Sequence, residues 1–123
     1  MAAAGSADPH ARTDTLRSAH LLASHLNAPV TPAFLGGPGP DPATALATWR
    51  TRGHHDVAVA SHLLAPGFFM NRLRETEPRR LSEPLGPHEA VAELVWERYD
   101  AGCGGGERSG RRAAHHFCQT GGV

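Results

Sequence analysis

Residues 56–64, DVAVASHLL, form an almost unbroken apolar run. A strand that is apolar at successive positions is buried on both faces, as in a parallel sheet covered by helices. Ala65-Pro66-Gly67 turns the chain out of this run, and Phe68 to Glu75 reads as a short helix.

The flanking sequence alternates helix and strand. Residues 13–26 set Leu16, Ala19, Leu22, Ala23 and Leu26 at three-to-four spacing, the stripe of an amphipathic helix started by Pro9 or Asp14 and stopped by Asn27-Ala28-Pro29. Val30 to Leu35 reads as a strand, weakened by Pro32. Pro42 to Arg52 carries Ala45, Leu46 and Trp49 at helical spacing, with Asp41 as N-cap and Gly53 beyond the end. A weak strand follows around Arg80 to Glu83. A last helix, Pro87 to Tyr99, turns Val91, Leu94 and Val95 inward and Glu89, Glu93, Glu97 and Arg98 outward. The order defines an α/β fold, a small mostly parallel sheet flanked by helices. Only MAAA precedes the first turn, so the opening strand is expected to be truncated, leaving its neighbours short of a partner.

At 123 residues the chain holds one core. The folded body is expected over residues 1–100, and the Gly/Arg-rich stretch 101–123, without periodicity, as a disordered tail. The 12 basic residues, all Arg, balance 12 acidic ones, which argues against nucleic-acid capture and for a neutral partner surface or a small ligand. No window reaches the roughly 18 apolar residues of a membrane span, and the N-terminus lacks the charged and apolar regions of a secretion signal, so a cytoplasmic protein is expected. Cys103 and Cys118 do not make a disulfide scaffold. With His115 and His116 they have zinc-compatible chemistry without a finger spacing. Nine histidines are many for this length, and imidazole is the commonest transition-metal ligand.

Three segments, AAAGSADPHAR, VASHLLAPGFFMNRL and EPLGPHEAVAELVWERYDAG, come in an order and spacing that resemble the sirohydrochlorin chelatase family, the CbiX-type class II chelatases. The resemblance covers roughly residues 2–100 and is nearest to the second half of a long, two-repeat form. It implies a three-layer sandwich and a lyase that inserts Co²⁺ or Fe²⁺ into sirohydrochlorin on the way to cobalamin or siroheme. The divalent metal is then a substrate, no organic cofactor is needed, and the chain pairs as a homodimer or with another chelatase repeat. In the family one His precedes Gly-Ser and another follows the turn after the third strand; here those positions are Ala4 and Phe69. Neither side chain can bind a metal or accept a proton. A noncatalytic half that completes the cleft of an active repeat is therefore the alternative, and an inert fragment a third reading.

Within that resemblance His62 is the candidate catalytic base and metal ligand, because it ends the apolar strand where an open α/β sheet forms its ligand crevice; packing within the loop is its other reading. His10, after the GSADP turn, and His88, after PLGP, are the candidate further metal ligands, or else solvated loop residues. Gly5 and Ser6 are candidate substrate contacts, offering backbone N–H groups to a carboxylate, or simply a strand-to-helix turn. Asp8 is read as a cap. Phe68 is a candidate wall against the macrocycle, although Trp49, Phe68, Phe69 and Trp96 are most economically core or interface residues. His54-His55 lies at the opposite end of the strand, and His20 and His25, five apart, share no helix face.

Overall fold

The computed structural model describes residues 1–103. Two units are distinguished, residues 1–88 and the segment from Glu89 onward. The expected tail lies outside the described residues from position 104 on.

The first unit runs β1 (Ala2–Ala3), α1 (Pro9–Leu26), β2 (Ala33–Phe34), α2 (Pro42–Thr51), β3 (Ala58–Val59), β4 (Ser61–His62), α3 (Phe68–Glu75) and β5 (Arg80–Leu81). All pairings are parallel. β1 lies between β2 and β4, and β3 pairs with β5. Residues 58–62 thus carry two pieces of one extended stretch, linked to its neighbours by Ala2 N–H donating to the Ala60 carbonyl at 2.8 Å and Ser82 N–H to that of Val59 at 3.0 Å. The opening strand is two residues long, yet it is paired on both sides, so the expectation of unpartnered neighbours is corrected.

The sheet divides its side chains by alternation. Ala2, Leu35, Val59 and Leu63 join Leu46 of α2 and Met70 and Leu73 of α3 in the core. Phe34, one residue from Leu35, points the other way and lies under the Arg12 guanidinium of α1, 5.7 Å from the ring centroid. Helices therefore cover both faces, the three layers that the family resemblance implies. On α1 the expected stripe is buried only in its middle: Ala19 is buried, whereas Leu16 and Leu26 are exposed.

Helix limits follow cap chemistry. Asp8 caps α1, its carboxylate accepting from His10 N–H at 2.9 Å, and Pro9 supplies the first helical residue. Asp41 caps α2 by accepting from Thr44 N–H and, at 2.6 Å, from the Thr44 hydroxyl. Those bonds, the hydroxyl's first, hold its carboxyl below the usual carboxylate range. β2 is shorter than the expected Val30–Leu35, since prolines 29 and 32 donate no ladder hydrogen bond.

α4 (Glu89–Cys103) begins at Glu89 rather than Pro87. None of its residues is buried, which corrects the inward placement of Leu94 and Val95. Trp96, expected in a core or interface, is exposed and stacks on Tyr99 with centroids 5.7 Å apart. Helical periodicity marks the face that can be buried and does not say what covers it.

Candidate functional site

β1, β2 and β4 end level. Ala3 is in register with Phe34 on one side and His62 on the other. Registered residues of a parallel ladder point to one face, so Phe34, Ala3 and His62 form a row with about 4.8 Å between neighbouring strands. Ser61 and Leu63, on either side of His62, are buried, the Ser61 hydroxyl lying 3.6 Å from Met70 Sδ. His62 is exposed and points away from α3, on the side where Arg12 covers Phe34. β1 leads to β2 on one side, and the chain then crosses to β4 on the other. The strand order therefore reverses between β1 and β4, and His62 stands at the carboxyl end of that reversal, the position at which open α/β sheets hold ligands.

The loops that follow β1 and β2 are pressed together. A Cβ on Gly5, where φ is +92°, would stand 1.8 Å from the Gly36 carbonyl oxygen, and one on Gly37 would stand 2.9 Å from that of Ser6. Gly5 therefore serves this backbone approach. The Ser6 hydroxyl accepts from Asp8 N–H at 3.0 Å, a local turn bond. His10 is exposed in the first turn of α1, a helical residue rather than the expected loop residue. His88 is exposed just ahead of α4.

Phe68 and Phe69 open α3 as an edge-to-face pair 5.4 Å apart. They are 70% and 39% exposed, which corrects their reading as core residues and leaves the apolar wall of Phe68 open. Arg72, one turn on, stacks over Phe68 at 5.8 Å and donates to the Leu35 carbonyl at 2.9 Å. Neither Arg12 nor Arg72 stands out in the sequence as a site residue. The four-residue step from Phe68 to Arg72 on one helix was a usable signal; no local pattern links Arg12 to Phe34.

Among the described residues no three His, Cys, Asp or Glu side chains come together as a ligand set for a metal ion, so His62, His10 and His88 do not form a triad. Of the four Cys and His considered for zinc, Cys103 is an exposed free thiol and the others lie outside the described residues. A cavity of about 730 Å³ opens at the other end of the strands, lined mainly by apolar groups such as Leu22, Leu46 and Trp49, with His54, Asp56 and Arg80 among them. None of the candidate site residues lines it. His20, His25 and His55 are exposed, and His54 packs edge-on against Trp49. No described helix is long and apolar enough to cross a membrane.

A parallel α/β domain with a histidine and two stacked guanidiniums at the carboxyl end of its sheet has the architecture of the open-sheet class, in which that end is where ligands bind. The chain belongs to the CbiX family of sirohydrochlorin chelatases, whose sequence model matches residues 1–101. No curated protein and no solved structure matches it. A chelatase-family function acting on a tetrapyrrole and a divalent metal follows from that membership.

Proposed function

We propose that this chain is a chelatase that receives sirohydrochlorin at the carboxyl end of its sheet and inserts Co²⁺ or Fe²⁺, serving cobalamin or siroheme synthesis. The single observation that carries the reading, beside family membership, is the position of His62: exposed, level with the end of β1, and at the reversal of strand order. Insertion exchanges two pyrrole N–H protons for one divalent ion. A neutral imidazole at the rim can take such a proton or hold the arriving ion. With no three-residue ligand set among the described residues, the ion is held by His62, by His10 or His88 where either reaches it, and by the macrocycle. A weakly held ion suits a metal that must be passed on. Gly5 and Ser6 bring backbone amides to the rim, and Phe68 offers the ring a flat apolar face.

The second reading is a noncatalytic half that completes the tetrapyrrole cleft of an active repeat or of a second copy. Ala4 and Phe69 favour it, since both stand where the family resemblance expects histidine. Following the absorbance of sirohydrochlorin with Co²⁺ separates the two, with purified chain, no protein, and His62→Ala compared. A rate above the unaided reaction that falls about a hundredfold or more toward it in the variant is expected. A rate equal to the unaided one, from folded protein, sinks the catalytic reading.

A further inference from the structure

We infer that Arg12 and Arg72 form a two-pronged carboxylate-binding rim at the end of β2, the contact that selects a multiply carboxylated flat ligand. The two guanidiniums reach consecutive residues at the end of β2, Arg12 over the Phe34 ring and Arg72 on the carbonyl of Leu35, the residue after the strand. Each is held by an aromatic ring, Phe34 for one and Phe68 for the other, which fixes a long side chain that would otherwise wander.

Arg17, Arg74 and Arg80 are paired with Asp14, Glu83 and Asp56, whereas among the described residues Arg12 and Arg72 have no acidic partner. Of the two acids nearest to Arg12 in sequence, Asp14 pairs with Arg17 and Asp8 is engaged as the cap with His10 N–H. Arg12 carries a further mark: its Nε is buried and has no hydrogen-bond partner among the described residues. A buried, unsatisfied donor on a charged group is costly, and an anionic ligand group drawn to the guanidinium offsets that cost through its charge. Arg72 uses one N–H on Leu35 and retains the rest of its fork.

The exposed Phe68 beside Arg72 provides an apolar face next to a charge, which suits a ligand that is flat in its body and anionic at its edge. The chain has no net charge, so attraction of a polyanion depends on where these charges stand. The inference deepens the tetrapyrrole reading and rests on it for the identity of the ligand, but not for catalysis.

The test is metal-free binding of octacarboxylate uroporphyrin, followed by absorbance and fluorescence, with dicarboxylate protoporphyrin as comparison. Uroporphyrin is expected to bind the intact chain more tightly, and more weakly as salt rises. Arg12→Gln and Arg72→Gln are each expected to weaken it about tenfold, the size of one charge-assisted hydrogen bond. Arg12→Lys keeps a cation over Phe34 and loses the fork, so it guards against a merely structural effect. Arg17→Gln leaves binding unchanged. Folded Gln variants that bind like the parent, no preference for uroporphyrin, or no binding at all each overturn the rim. Loss of the catalytic reading is seen separately: Arg-dependent binding without metal insertion keeps the rim and removes the enzyme.

Discussion

Gly5 shows how much one hydrogen atom decides. Its φ of +92° already disfavours a side chain, and the Gly36 carbonyl fills the space that a Cβ would need. Gly53 has a similar φ, +89°, with nothing within 4 Å of the same point. Gly53→Ala therefore isolates the backbone cost, about 1–2 kcal/mol. Gly5→Ala is expected to lose at least about 2 kcal/mol more, or not to fold, by urea denaturation; equal losses would show that the loops part without cost. The sequence marked Gly5 as a turn, while the reason for it sits in another loop. Asp41 was legible in full, because a cap and its helix are neighbours along the chain. Its folded-state carboxyl is lowered, so its contribution is complete above the ordinary carboxylate range and is lost as pH falls through the lowered value. The gap in melting temperature between the parent and Asp41→Asn should accordingly narrow on acidification from neutral pH. A gap that widens instead would contradict the sign of the shift.

At the scale of elements, α3 is the informative case. Its eight residues are too few to hold a helix alone. Gly67 before it makes no side-chain cap bond, so its stability comes from burial of Met70 and Leu73, 1% and 0% exposed. Leu73→Ala is expected to cost about 3 kcal/mol, read as a lower denaturation midpoint at unchanged slope; a loss below about 1 kcal/mol would mean that the helix is held by something else. Asp8→Ala, which removes only a cap, is expected to cost about 1 kcal/mol. The limits of α2 and α3 were readable because prolines, glycines and caps are local. The extent of β2 and the burial of α4 were not, since ladder bonds and covering partners come from elsewhere in the fold.

For the whole molecule, the ladder converts a one-dimensional pattern into two chemically different faces. His62 was found from the apolar run that it ends. Its companion Arg12 was not, because only the pairing of β1 with β2 and β4 puts their columns in one row. Ala4 packs against the core that includes Met70, and Phe69 precedes Met70 on α3, so the two positions at which the family resemblance expects histidine belong to the α3 side, opposite His62. Placing imidazoles there tests which side carries the metal. Ala4→His combined with Phe69→His is expected to raise Co²⁺ insertion about a hundredfold, the scale of one positioned acid–base group. It should also bind Co²⁺ without tetrapyrrole by calorimetry, each single variant doing less. Ala4 is half-buried, so the melting temperature of each variant must accompany its rate. A folded double variant with unchanged rate and unchanged Co²⁺ binding would remove the α3 side from the path of the metal and leave His62, on the face of Arg12, as its point of contact.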